Sequence, residues 1–210
     1  TGELLEMLSR HKVKAVFFVL GYIAERHPDL IREIAAHGHR IATHGYIHGK
    51  LYEMSREQLE QDIHRAVQLI ENLAGRKIEI YRAPSWTYDQ RSEHLFGILQ
   101  KEGILVDSSL QPFWTPLSGV FGAPCRIHYP LIDGEKSGII EFPAPVCEFG
   151  PLRIPFSGGF YLRILPYWLV KKCLSRTVKK QDCFIYLHPW EIDEEPPSHK
   201  ASPFIKMIHN

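Results

Sequence analysis

Two histidines four residues apart, His44 and His48, directly follow the short apolar run Ile41-Ala42-Thr43. Imidazoles at this spacing converge on one cation if the segment is a helical turn or a tight loop, and neutral imidazole suits zinc, cobalt, nickel or iron. Exposed loop histidines are common, so the pair gains its weight from standing after a strand. Three more polar residues follow apolar runs in the same way: Arg82, of Arg82-Ala83-Pro84, after Ile80-Tyr81; Asp107 after Leu105-Val106; and His188, of His188-Pro189-Trp190, after Tyr186-Leu187. Arg82 is either a surface charge or a cation that pairs with a carboxylate and keeps it ionised. Asp107 either caps the turn at Ser108-Ser109 or hydrogen-bonds a histidine and fixes its tautomer, as a general acid requires. Trp86, Phe113, Trp114 and Trp190 read singly as core fillers, although several aromatics beside a polar cluster also suit the apolar face of a sugar ring. His37 and His39, flanking Gly38, read as a helix cap or as solvated side chains.

The elements that must position these residues follow from periodicity. Leu4, Leu5 and Leu8 share a helical face, and Val13–Leu20 is a buried strand. Pro28 and Asp29 open a helix with Leu30, Ile31, Ile34 and Ala35 as its stripe, stopped by Gly38. Arg40–Thr43 is the next strand. Ser55 with Gln58 makes a capping box, after which Leu59, Ile63, Val67, Ile70 and Leu73 recur at three and four residues as far as Gly75. Strand Ile78–Tyr81, a helix through Leu95 and Leu99, and strand Ile104–Val106 continue the alternation, which predicts a parallel sheet. Between about Gln111 and Phe160 the pattern gives way to loops around a strand Ile139–Phe142. A helix from Pro166 and a strand Cys183–Leu187 follow. In such folds the site lies at the carboxyl ends of the strands, where the loops converge.

Composition fits this reading. In 210 residues, 44% are hydrophobic and 25 Lys and Arg face 24 Asp and Glu, a formal charge of +1. That is globular composition for one α/β domain, here residues 1–192, with a solvated tail at 193–210. It carries no basic footprint for nucleic acid, and no apolar run approaches the roughly 20 residues of a membrane span. Cys125, Cys147, Cys173 and Cys183 form no CxxC pair, so they read as reduced core thiols, as in a cytoplasmic protein.

At these positions the chain resembles the polysaccharide deacetylases of carbohydrate esterase family four, the NodB-homology domain. Thr43-His44-Gly45-Tyr46-Ile47-His48 is similar to the family's metal-binding HxxxH motif, Arg82-Ala83-Pro84 to its Arg-x-Pro, Asp107 to its aspartate motif and Leu187-His188 to its closing Leu-x-His. Ser157–Pro166 and Phe184–Glu191 resemble the branch associated with exopolysaccharide biosynthesis. The resemblance implies an irregular, incomplete (β/α) barrel that hydrolyses N-acetyl groups on an N-acetylated polysaccharide or oligosaccharide, with a divalent ion, zinc first and cobalt or nickel as alternatives. By it, His44 and His48 are metal ligands, His188 tuned by Asp107 is the general acid, Arg82 orients a base, and Ser85, Trp86 and Trp190 contact substrate. Ser85 stands where many members have Tyr, so there the backbone N–H is the expected oxyanion donor.

The family's Asp-rich first motif, source of the base and of a third metal ligand, has no counterpart in the chain and is expected before Thr1 together with the first strand. Val13–Leu20 is then an edge strand, and self-association is expected from it. Two alternatives stay open: a cyclic-amide hydrolase of the same superfold, and a sugar-binding member without catalysis.

Overall fold

A computed structural model describes residues 1–192; the expected tail at 193–210 lies outside them. The described residues divide into two compact units, Met7–Pro143, and Thr1–Glu6 with residues 144–192. In chain order the elements are α1 (Gly2–Arg10), β1 (Val16–Val19), α2 (Gly21–Arg26), α3 (Pro28–Ala36), β2 (Arg40–Thr43), α4 (Arg56–Ala74), β3 (Ile80–Tyr81), α5 (Leu95–Lys101) and β4 (Val106–Asp107). They continue with β5 (Leu131–Ile132), β6 (Glu135–Lys136), β7 (Ile140–Glu141), β8 (Val146–Phe149), β9 (Leu152–Pro155), α6 (Gly159–Ile164) and α7 (Tyr167–Thr177).

Within Met7–Pro143 a parallel sheet runs in the order β1-β2-β3-β4-β7. Each new strand joins the same advancing edge, which is the winding of a (β/α) barrel; a doubly wound sheet reverses direction. Among the described residues the sheet stays open, with β1 and β7 at its edges. The chain is therefore an α/β fold of the expected class, and an incomplete barrel is compatible with it.

Helix α4 shows why the sequence folds this way. The Ser55 side chain accepts from Gln58 N and the Gln58 side chain accepts from Ser55 N, so two otherwise orphaned N–H groups are satisfied. Gly75 ends the helix in the left-handed region at φ 65°, where a Cβ would be strained. Leu59, Ile63, Ala66, Val67 and Ile70 are all buried, and with Ile31 and Ile34 of α3 and Ile41 and Ala42 of β2 they form part of this unit's core.

The second unit has a core of its own. Cys147, Phe156, Val170 and Cys173 are buried together, with Phe149, Leu162, Leu165, Leu169 and Leu174 packed on them. Burial, followed by the neighbouring Cys147, pushes the Cys173 thiol up to about 12, so it behaves as a small apolar side chain. Here the expected strand Cys183–Leu187 is reduced to one parallel bridge, Gly158 to Tyr186; its apolar residues alternate with exposed Ile185 and Leu187. The stretch expected as loops holds two antiparallel pairs, β5-β6 and β8-β9. No helix of the described residues is long and apolar enough to cross a membrane.

Candidate functional site

Parallel pairing aligns the ends of the strands. Val19 pairs with Thr43, Thr43 with Tyr81, Tyr81 with Asp107 and Asp107 with Glu141, giving one row across the sheet. The ladder runs one residue further, with His44 N donating to Val19 O at 2.8 Å, Arg82 N to Thr43 O at 3.2 Å, and Ser108 N to Tyr81 O at 3.0 Å. His44, Arg82 and Ser108 therefore stand in the next row, and side chains of successive rows alternate in direction. Register alone brings the chemistry-bearing residues of four segments to one end of one sheet.

His44 is held by its ring. Its Nδ1 lies 2.6 Å from the Arg82 carbonyl oxygen. A carbonyl can only accept, so Nδ1 carries the proton and, in the neutral ring, Nε2 carries the lone pair. The exposed His48 follows with its ring centroid 5.4 Å away at 67°. These two nitrogen donors, one with its tautomer set by the backbone, fit two positions around a zinc-like ion. Among the described residues no group of three His, Cys, Asp or Glu side chains is placed to hold one.

Arg82 is only 7% exposed, which removes the surface reading. Its Nε donates to Ser108 O at 3.3 Å and an Nη to Ser108 Oγ at 2.9 Å, while the guanidinium lies 4.1 Å from the Phe18 ring and 4.8 Å from the Trp86 ring. Trp86 is buried beneath this cation. That fits the core reading of Trp86; Trp114, by contrast, is exposed and fills no core. Ser85 and Trp86 both adopt the left-handed region, at φ 52° and 50°. Such conformations cost about 1 kcal/mol or more each and persist only where packing over-determines them. Here Trp86 N is tied to Ala83 O at 3.1 Å and Thr87 N to Pro84 O at 3.2 Å. The turn leaves Ser85 exposed.

Asp107 is fully buried, and its Oδ1 accepts from Ser109 Oγ at 2.5 Å, so the turn-capping role is realised. Its strand partner Glu141 is equally buried and accepts from Leu110 N at 3.0 Å through Oε1. Burial first, and then the Asp107 charge, holds the Glu141 carboxyl well above the usual carboxylate range. Asp107 Oδ2 and Glu141 Oε2 are buried without a hydrogen-bond partner, and a proton held between the two carboxyls would satisfy both. Sequence alone places Glu141 only as a member of the strand Ile139–Phe142. A lone acid inside the apolar run Ile139–Phe142 is the signal that could have found it.

In the second unit, His188 donates its backbone N–H to Glu191 Oε2 at 2.8 Å, with its Nδ1 3.6 Å from the same oxygen. The His188 ring stacks on Trp190, with centroids 4.2 Å apart and planes within 14°. Glu191 also accepts from Arg163 at 2.9 Å. This carboxylate was likewise not anticipated, since its spacing from His188 matches no metal or acid–base pattern. Of the remaining histidines, His37 Nδ1 meets the Glu33 carbonyl as a helix cap. His39 is buried, with Nδ1 accepting from Ala15 N, which corrects its solvated reading.

Comparison with known proteins follows the same outline. Residues 1–100 match the polysaccharide deacetylase family model, and residues 108–210 match a domain of unknown function, DUF3473. A chitooligosaccharide deacetylase of Rhizobium leguminosarum bv. trifolii is 44% identical over 63 residues, 30% of this chain and 29% of that protein. A peptidoglycan deacetylase of Helicobacter pylori is 27% identical over 156 residues, 68% of this chain and 51% of that protein. The chain thus spans between about a third and a half of the length of these relatives. Among solved structures, one from Mycobacterium smegmatis assigned to the polysaccharide deacetylases superposes with a TM-score of 0.63 at 28% identity, over 89% of this chain and 62% of that one. Puue allantoinase (0.53, 18%, 69% and 43%) and a CE4 family pseudoenzyme from Bacillus anthracis (0.53, 12%, 88% and 48%) share the fold alone. The family model and the relatives support the polysaccharide deacetylase family.

Proposed function

We propose that this chain carries the metal-binding part of a polysaccharide N-deacetylase, acting on an N-acetylated polysaccharide or oligosaccharide of the exopolysaccharide type. The observation that carries the reading is the row at the carboxyl ends of the sheet, where His44, with its tautomer set by the Arg82 carbonyl, precedes His48 by four residues. His44 and His48 would hold a divalent ion, zinc first, which when bound supplies Lewis acidity and lowers the pKa of coordinated water. Side chains and backbone of this chain supply the oxyanion donor, the residue that orients the base and the general acid; the carboxylate base itself is not among the described residues. Ser85 N–H, presented by the strained turn, donates to the oxyanion that develops on the acetyl carbonyl. Arg82, half-encased by Phe18 and Trp86, orients the base that takes the water's proton. His188 gives its proton to the departing amine while the carboxylate base takes one from the attacking water, so that amide plus water becomes acetate plus amine. Its stacked neighbour Trp190 suits the apolar face of a sugar.

Acetate release from N-acetylglucosamine oligomers by a protein that also carries the carboxylate base, with zinc or cobalt added, tests this reading. Turnover should require metal and vanish in His44→Ala. In His188→Ala it should fall by about 10²–10⁴ with metal content unchanged. Metal-dependent turnover of a cyclic amide with none on the oligomers would favour the allantoinase-like alternative, and sugar binding without turnover would favour the inactive one.

A further inference from the structure

The loop that carries both histidines is gripped from two helices. On one side, the first residues of α2 donate to it: Gly21 N to Gly45 O at 2.9 Å and Tyr22 N to Tyr46 O at 3.0 Å. On the other side, one carboxylate of α4 receives from it. Tyr46 N donates to Asp62 Oδ2 at 2.8 Å and Ile47 N to Asp62 Oδ1 at 3.0 Å. The residue between the histidines is fixed as well, since Tyr46 Oη donates to Glu25 at 2.7 Å and the Arg65 guanidinium lies 3.7 Å from its ring while also pairing with Glu25.

We infer that Asp62 is the positioning residue of the His44–His48 pair: its two carboxylate oxygens bind two consecutive amides of the intervening loop and set the distance between the imidazoles. Two details require a carboxylate here and glycine opposite it. Both Asp62 oxygens accept, whereas an amide side chain would present an NH₂ to one of the two loop N–H groups. Gly45 adopts φ 78°, and a Cβ there would lie 2.6 Å from Asp62 Oδ2, so only glycine lets the loop close on the clamp. Asp62 sits on α4, three residues after buried Leu59 and beside fully buried Ile63. The helix core therefore holds the carboxylate, and the carboxylate holds the loop. Such outer partners commonly change metal affinity 10- to 100-fold.

This inference rests on the metal reading of His44 and His48, and the test separates the two. Cobalt(II) is titrated into the wild-type protein, Asp62→Asn, His48→Ala and the double variant, followed by calorimetry and by the visible spectrum of the bound ion. Asp62→Asn should weaken binding about 10- to 100-fold and alter the spectrum, yet add nothing to His48→Ala, because it acts through the placement of His48. Equal loss in both backgrounds, or none, overturns the positioning role. Hydrogen exchange of the metal-free protein tests the clamp even where no ion binds. In Asp62→Asn the Tyr46 and Ile47 amides should exchange at least 10-fold faster while Gly21 and Tyr22 keep their protection; unchanged exchange at Tyr46 and Ile47 overturns the clamp itself. Failure of the wild type to bind cobalt, with that exchange pattern intact, would sink the metal reading and leave the clamp standing.

Discussion

Individual side chains here take their properties from register. Glu141 and Asp107 are strand partners, so folding forces two carboxyls together out of water, and burial followed by the Asp107 charge raises the affinity of Glu141 for a proton. A carboxyl whose affinity for protons is raised by folding stabilises the native state fully at low pH, below the usual carboxylate range. That contribution is lost as pH rises toward its raised native value, at up to about 1.4 kcal/mol per pH step. Chemical denaturation from pH 4 upward should show stability falling along this limb, and Glu141→Gln, which is neutral throughout and still donates to Asp107, should flatten it. An unchanged slope in Glu141→Gln would mean that the pair does not share a proton. His44, Arg82, Asp107 and His188 were legible because each stands at the end of an apolar run, and His48 by its four-residue spacing from His44. Asp62 was not, because a carboxylate three residues after Leu59 and four before Ala66 looks like an exposed neighbour of the stripe until the loop that covers it is known.

At the scale of elements, α4 was the most legible, since its capping box, stripe and terminal glycine are local chemistry. Ser55→Ala should remove the cap and cost about 1 kcal/mol in equilibrium unfolding, with 0.5–2 kcal/mol as the range for such caps. A change within a few tenths would mean that the Gln58 side chain and water replace it. Strand β2 was equally clear, with its bounds at Arg40–Thr43 as expected. The failures lie where pairing partners are distant in sequence. Residues 183–187 are as apolar as β2 but meet only one bridge, and the β8-β9 hairpin lacks the alternation that marks an exposed strand pair. Helix α2, six residues long, is too short for periodicity to reveal, yet it supplies half of the grip on the histidine loop.

For the whole molecule, the two matched sequence models meet between residues 100 and 108, whereas the compact units divide at Pro143 and Ala144. The mismatch has a physical source: β4 and β7 extend β1-β2-β3, so the sheet begun within residues 1–100 is completed by residues that follow them. Asp107 and Glu141 therefore belong to the same row as Thr43 and Tyr81, although the family model ends before either. With a formal charge of +1, long-range electrostatics gives a neutral sugar no disadvantage against a charged ligand. Recognition must then come from the site itself, and the central claim is that His44 and His48 bind one ion together. Zinc titration of the protein by calorimetry, beside His44→Ala and His48→Ala, tests it most directly. One ion per chain in the wild type, with that binding lost or severely weakened in each variant, is the expected result; equal heats and stoichiometries in all three would contradict it.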